Sequence, residues 1–344
     1  MTAPTLTEHR TDVTDRPVIE VSDLVVTFRT KAGHVQAVSG VSFDIAEGES
    51  LGVVGESGCG KSTLARAILQ LSKPDTGSVR FLGQELTSMS GSRMRRVRPQ
   101  LQMVFQDPIS SLNPRRTVRQ LVAEPMAIWR TADKGERERK ADEMLEAVGL
   151  DPVLFGDRRP GQLSGGQCQR VAIARALIAG AKLLVCDEPV SSLDVSLRAT
   201  VLNLLEDLRE RFDLSILFIA HDLAVVRNIS DRVMVMYLGK VVELAGSEAL
   251  YRAPAHPYTR ALLDSIPQPD PLADAPRMNL SGDLPSPVDP PSGCRLRTRC
   301  PMAKQICADV EPVLKEVAPG HLAACHFAGR LENVATAADS PAGG

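Results

Sequence analysis

At 344 residues, with a formal net charge of −2 and 3% aromatic residues, the chain can bury a full core. It has neither the broad basic footprint nor the stacking platforms that nucleic-acid partners need. No apolar stretch approaches the roughly 18 to 20 residues that span a bilayer, and the polar N-terminus lacks a signal-peptide apolar segment, so a cytoplasmic protein is expected.

Residues 1–17 mix Thr, Asp, Arg and Pro without periodicity and read as a disordered tail. From Val18 the pattern is strand-like: Ile19-Glu20-Val21, Leu24-Val25-Val26-Thr27-Phe28, Val35-Gln36-Ala37-Val38 and Val41-Ser42-Phe43-Asp44-Ile45 predict a mostly antiparallel layer. An apolar run, Leu51-Gly52-Val53-Val54, then leads into Gly55-Glu56-Ser57-Gly58-Cys59-Gly60-Lys61-Ser62. Beyond it, apolar positions 64, 67, 68 and 71 follow a helical period, completing a strand, a loop and a helix. In such a loop the glycines let main-chain N–H groups turn inward on a phosphate, and the helix N-terminus adds positive potential. Lys61 reaches the outer phosphates and Ser62 offers a hydroxyl to Mg²⁺. A chance Gly-rich turn is the competing reading.

Residues 91–180 are charged, with helical patterns such as Ala141-Asp142-Glu143-Met144-Leu145-Glu146-Ala147-Val148, and predict an inserted helical subdomain. Two buried-type strands follow, Lys182-Leu183-Leu184-Val185-Cys186 and Ser215-Ile216-Leu217-Phe218-Ile219-Ala220, separated by a helical stretch over 197–212. Strand, helix, strand implies a parallel sheet. The first of these strands ends in Asp187-Glu188, two carboxylates at the sheet edge beside the loop. Asp187 suits the Mg²⁺ shell and Glu188 the polarisation of an attacking water, because phosphoryl transfer needs positioning and charge neutralisation. A solvated acidic turn is the bland alternative. After Val233-Met234-Val235-Met236-Tyr237 and Lys240-Val241-Val242-Glu243, a Pro-rich connector starts at Ile266-Pro267 and continues past Pro291, and residues 335–344 read as a second disordered tail.

A second phosphate-type motif, Leu163-Ser164-Gly165-Gly166-Gln167, precedes the helical run Val171-Ala172-Ile173-Ala174-Arg175-Ala176-Leu177. With it, residues 18–265 resemble the nucleotide-binding domain of ATP-binding-cassette (ABC) transporters. That resemblance implies an α/β P-loop NTPase core with an antiparallel β subdomain and an inserted helical subdomain. ATP would lie against Gly55, Ser57, Gly58, Cys59, Gly60, Lys61, Ser62 and Thr63. Gln106, in Val104-Phe105-Gln106-Asp107-Pro108, resembles the Q-loop glutamine, which touches metal or water. Mg²⁺ would then be held by Ser62, Gln106 and Asp187. Glu188 and the switch histidine His221, in Ala220-His221-Asp222, would be catalytic. Ser192-Leu193-Asp194 resembles the loop that crosses between paired chains, and Phe28 sits where an aromatic stacks on adenine. In the family two cassettes pair head to tail, so Ser164, Gly165, Gly166 and Gln167 of one chain would close over ATP held by the other. Cys168, directly after the signature, departs from the larger residue the family usually carries.

Residues 266–334 read as a Pro-rich linker and a Cys-rich C-terminal domain, and a narrower likeness begins just before them. Ala255-His256-Pro257-Tyr258-Thr259-Arg260-Ala261-Leu262-Leu263, the Leu280-Ser281-Gly282-Asp283-Leu284-Pro285 stretch and Pro290-Pro291-Ser292-Gly293-Cys294 resemble the C-terminal region of oligopeptide and dipeptide importer ATPases, a subset that includes nickel importers. Seven cysteines are unevenly placed, and Cys294, Cys300, Cys307 and Cys325 crowd this end with five, six and seventeen residues between them. Four thiolates suit zinc or an iron–sulfur cluster, and the short Cys spacing of a zinc knuckle is missing. Resemblance to importer members that carry a [4Fe-4S] cluster favours the cluster over Zn²⁺, with Arg295, Arg297, Arg299 and Lys304 close by to offset its charge. Four free thiols are the remaining reading, and His321 and His326 flank Cys325 as substitute zinc ligands or plain surface residues. The site lies far in sequence from the ATP machinery, so a structural role is expected of it.

The resemblance implies an ATPase driving peptide import from the cytoplasmic face of the membrane, with two transmembrane permease subunits, a second ABC ATPase subunit, commonly a non-identical homologue, an external solute-binding protein and no nucleic acid. A nickel or small-solute importer, an exporter subunit and a non-transport ABC ATPase of DNA repair or translation are the alternatives.

Overall fold

The computed structural model describes residues 17–31, 33–191, 193–266 and 278–330. The two tails, Ser192 of the crossing loop and the core of the Pro-rich connector lie outside the described residues.

The strands are β1 (Pro17–Thr30), β2 (Gly33–Ala46), β3 (Ser50–Val54), β4 (Thr76–Phe81), β5 (Gln84–Glu85), β6 (Leu101–Val104), β7 (Leu183–Asp187), β8 (Ser215–Ile219), β9 (Arg232–Tyr237), β10 (Lys240–Gly246), β11 (Lys315–Ala318) and β12 (His321–Ala323). They form an antiparallel sheet in the order β2-β1-β4-β5 and a larger sheet in the order β11-β12-β10-β9-β3-β8-β7-β6. In β2, Val41, Phe43 and Ile45 are buried while Ser42 and Asp44 face out, the period of two that a one-faced antiparallel strand requires. By contrast, every residue of β3, β7 and β8 is buried, because these strands run parallel in the middle of the second sheet with both faces covered.

The parallel register decides where the chemistry collects. Val53 pairs with Ile219, Asp187 with Ile219, and Val104 with Cys186, so β3, β8, β7 and β6 end together. Open parallel sheets bind ligands outside those carboxyl ends. The expected helical subdomain is inserted between β6 and β7. The helices Val118–Trp129, Lys134–Ala147 and Gly165–Leu177 share a core that includes Leu121, Val122, Leu145 and Val171. Arg119 ties this bundle together through Asp142 at 2.6 Å and Asp157 at 2.7 Å.

The cysteine-bearing end is joined to the cassette sheet. β12 pairs antiparallel with β10, placing Ala323 opposite Glu243, and Leu296 belongs to the main core. Glu243, fully buried, accepts the main-chain N–H groups of Ala255 at 2.7 Å and His256 at 2.9 Å, and its Oε1 lies 2.7 Å from His321 Nε2. One carboxylate thus holds three segments. Among the described residues no helix is long and apolar enough to cross a membrane.

Candidate active site

The loop after β3 turns on three glycines with positive φ: Gly55, Gly58 and Gly60. At Gly60 a Cβ would lie 2.0 Å from the Ala37 carbonyl oxygen and at Gly55 2.2 Å from that of Met236, so neither tolerates a side chain. This close approach of backbone to backbone points the loop at the start of the helix Lys61–Ile68, whose first N–H groups have no side-chain cap. Lys61 is 4% exposed and donates to the carbonyls of Gly55 at 2.6 Å and Glu56 at 3.1 Å, with Cys59 Sγ 3.9 Å away. The ammonium is folded into the cradle, within reach of any phosphate placed there.

Ser62 Oγ donates to Asp187 Oδ1 at 2.8 Å. Burial holds the Asp187 carboxyl above its ordinary pKa, and the neighbouring Glu188 charge adds to this, while the Ser62 hydrogen bond opposes it. Two hard oxygen donors side by side fit Mg²⁺, and a cation there would offset the cost of the buried charge. Gln106 and His221 meet on the next residue: Gln106 Nε2 donates to Glu188 Oε2 at 3.0 Å, and His221 Nδ1 lies 3.7 Å from the same oxygen. Glu188 has a φ of 48°, a left-handed conformation rare for a residue with a side chain, and its N–H donates to the Ile219 carbonyl at 3.0 Å. That kink turns the side chain off the end of β7, toward the polar residues that follow β6 and β8. A carboxylate oxygen aligned by an amide and an imidazole can take a proton from water.

The other expected ATP residues stand apart from this network. Ser164 caps the helix Gly165–Leu177 in a reciprocal pair, accepting the Gln167 N–H at 3.3 Å and donating its own N–H to Gln167 Oε1 at 2.9 Å. Gly165 and Gly166 are unlike the loop glycines. A Cβ on either meets nothing closer than 3.6 Å. Folding of this chain does not demand glycine at those two positions, so their lack of side chains leaves room for something outside it. Asp194 caps the helix Val195–Phe212 through the Leu197 N–H at 2.9 Å, and Phe28 is 44% exposed on β1. Cys168 is buried in the helical core with its thiol 3.6 Å from the Pro160 carbonyl, which accounts for a small side chain there.

The expected iron–sulfur or zinc site at the cysteines gains no support. Among the described residues no three His, Cys, Asp or Glu side chains are grouped to hold a metal ion. Burial pushes the thiols of Cys300 and Cys325 up to about 11 and raises that of Cys294, while the Phe327 N–H donates to Cys325 Sγ at 3.3 Å. In the metal-free protein burial therefore favours the thiol form of Cys294, Cys300 and Cys325. What sequence reasoning missed lies beside them. Arg299 Nη1 donates to both carboxylate oxygens of Glu56 at 3.0 Å, and the Glu56 N–H donates to the Tyr258 hydroxyl at 2.8 Å. A lone Arg and a lone Tyr, 243 and 202 positions from Glu56, carry no local signal of that role.

A glycine loop opening a helix, a Ser–Asp pair whose oxygens fit Mg²⁺ and a glutamate held by Gln106 and His221 along one edge of a parallel sheet are the pattern of a P-loop ATPase, and the capped signature helix is that of the ABC class. Residues 38–191 match the ABC transporter family, and residues 242–307 match the oligopeptide/dipeptide transporter, C-terminal region. The oligopeptide transport ATP-binding protein AppF of Bacillus subtilis (strain 168) is 52% identical over 303 residues, covering 87% of this chain and 92% of that protein. OppF of Escherichia coli (strain K12), also an oligopeptide transport ATP-binding protein, is 51% identical over 310 residues with the same coverage. The ATP-binding cassette MJ0796, solved as a dimer in a post-hydrolysis state bound to ADP and Pi, superposes with a TM-score of 0.61 at 30% identity, over 67% of this chain and 98% of that one. The chain belongs to the ABC-transporter ATPases of the oligopeptide/dipeptide family.

Proposed function

We propose that this chain hydrolyses ATP to drive a peptide importer. The observation that carries the peptide reading is that likeness to peptide-transport proteins extends past the cassette through the C-terminal region at 242–307. In this reading the loop from Gly55 to Gly60 and the N-terminus of the helix Lys61–Ile68 hold the triphosphate, with Lys61 exchanging the Gly55 and Glu56 carbonyls for phosphate oxygens. Ser62 and Asp187, with Gln106, would hold Mg²⁺, which when bound neutralises phosphate charge. Glu188 Oε2 takes a proton from water as the water oxygen bonds to the γ-phosphorus and the bond to the bridging oxygen of ADP breaks. Gln106 and His221 keep that oxygen oriented.

Ser164, Gly165, Gly166 and Gln167 are then the lid of a site on a second cassette, and the open space above Gly165 and Gly166 supports this use. Asp194 lies at the seam and Phe28 stacks on adenine. The second cassette is a non-identical homologue, two permeases supply the pathway, a solute-binding protein delivers the peptide, and the chain docks on the cytoplasmic face of the membrane.

The test is ATP hydrolysis by the native complex in vesicles, with peptide-loaded, nickel-loaded and empty binding protein. Stimulation by the peptide-loaded form is expected. Stimulation by the nickel-loaded form alone moves the assignment to metal import, and recovery of the chain with ribosomes or nucleic acid in place of permeases overturns transport.

A further inference from the structure

Glu56 is the second residue of the phosphate loop, and each of its polar groups is held. Its carbonyl accepts from Lys61 at 3.1 Å, its N–H donates to Tyr258, and its carboxylate takes both contacts from Arg299. The Arg299 side chain is 13% exposed, and its guanidinium lies 6.0 Å from the Tyr237 ring centre. Tyr237 in turn packs at 4.8 Å on the ring of Tyr258, whose hydroxyl burial keeps neutral. The far end of the loop is braced as well. Arg295 donates through Nη1 to the Leu238 carbonyl and through Nη2 to Ser39 Oγ at 2.9 Å. Leu238 and Gly239 form the left-handed turn between β9 and β10, and the Gly239 N–H donates to the Cys59 carbonyl at 2.8 Å. Two arginines from one short stretch, 294–300, therefore brace both ends of the phosphate loop.

We infer that Arg299 is a positioning residue for ATP binding: docked on Glu56, it holds the loop in the form that receives the triphosphate. The physical reason is competition. Lys61 must leave the Gly55 and Glu56 carbonyls to take a phosphate, and a loop that stays ordered when it does so binds without a further ordering cost. Freed of Arg299, Glu56 becomes an uncompensated, half-buried carboxylate facing an incoming polyanion, and the loop must be ordered by the ligand itself. Linkage makes the effect reciprocal, so ATP must also tighten the 294–300 segment on the cassette. The inference rests on the ATPase reading only for the identity of the ligand.

The experiment measures ATP affinity and nucleotide-free Tm for the full-length protein and its Arg299→Gln, Glu56→Gln, double and Arg299→Lys variants, with hydrogen exchange of residues 294–300 with and without ATP. The expected result is affinity about tenfold weaker in either single variant, about 1.4 kcal/mol. The double variant is expected to be no weaker than the singles, because both break one contact. Arg299→Lys recovers most of the affinity, and exchange slows on ATP addition in the wild type only. Unchanged ATP affinity in Glu56→Gln, additive losses, or losses that simply follow Tm overturn the inference. If Arg299→Gln does not fold, Glu56→Gln and Arg299→Lys decide it. A wild-type protein that binds no ATP overturns the ATPase reading itself, a different failure.

Discussion

Ser62 Oγ donates to Asp187 Oδ1 at 2.8 Å, tying the first turn of the phosphate-loop helix to the end of β7 across 125 residues of sequence. Asp187 is 4% exposed, so its charge is desolvated, and Glu188 beside it adds repulsion. Without a cation the carboxylate costs folding energy that an amide of the same shape does not. Asp187→Asn is therefore expected to raise Tm in nucleotide-free protein by an amount equivalent to roughly 0.5–2 kcal/mol. Mg²⁺-dependent ATP turnover should fall by about 10²-fold or more, because the amide is a poor Mg²⁺ ligand. Calorimetry and a phosphate-release assay check both. A lower Tm would mean that the carboxylate is stabilising as it stands.

In the proposed reaction Glu188 carries the proton-transfer step. Glu188→Gln keeps the shape and the φ of 48° while removing the proton acceptor. Turnover should drop by roughly 10²- to 10⁴-fold, the range for a general base, with ATP affinity changed only a few-fold. The ATP-bound pair of cassettes should then persist, visible as a nucleotide-dependent dimer by light scattering when copies of this chain can pair. Hydrolysis near the wild-type rate would remove Glu188 from its role.

The placement of the phosphate loop and the signature at helix starts and of Asp187-Glu188 at the end of β7 was legible because each is a contiguous motif. The central strands were legible for a similar reason: β3, β7 and β8 are apolar throughout, as strands buried on both faces must be. The joining of β12 to β10 was not legible. It depends on Glu243 reaching Ala255, His256 and His321, contacts across as many as 78 residues that follow no periodicity. The four cysteines are a different case. Spacing counts thiols but does not report their burial, which in the metal-free protein pushes Cys300 and Cys325 up to about 11.

Two glycines separate folding from assembly. Gly60, with φ of 109° and the Ala37 carbonyl 2.0 Å from any Cβ, cannot become alanine without moving the loop. Gly165 opens a helix, and a Cβ there would meet Leu193 Cδ2 at an ordinary 3.7 Å. Gly60→Ala is expected to destabilise the protein by about 1–3 kcal/mol and to lose ATP binding. Gly165→Ala should leave Tm and ATP affinity of the isolated chain unchanged within about 0.5 kcal/mol, yet cut hydrolysis in the assembled complex severalfold or more. Thermal melts, nucleotide titration and complex-level turnover distinguish the two. Full activity in the Gly165→Ala complex would mean that nothing closes over that glycine.

His256 supplies a pH dependence with a definite sign. Its ring is 1% exposed, and Nδ1 accepts the Tyr258 N–H at 3.1 Å, capping the helix Pro257–Asp264. Burial pushes its pKa from 6.5 down to about 4, against a smaller opposing pull from Glu243. Between those two values the unfolded chain binds a proton that the folded chain refuses, so stability falls as pH falls below 6.5 and the loss is complete near 4. From pH 7 to pH 5 the loss is about 2 kcal/mol. His256→Asn keeps an acceptor at the cap but cannot titrate. Its urea midpoint should therefore decline less than that of the wild type across this range, by the equivalent of that amount, while losses shared with other titrating groups cancel in the comparison. Because the folded ring stays neutral until pH nears 4, and Tyr258, two residues on, holds the Glu56 N–H, His256 should leave the ATP affinity of the folded protein unchanged between pH 7 and pH 5. Parallel pH profiles of stability in the two proteins would place His256 outside the acid response.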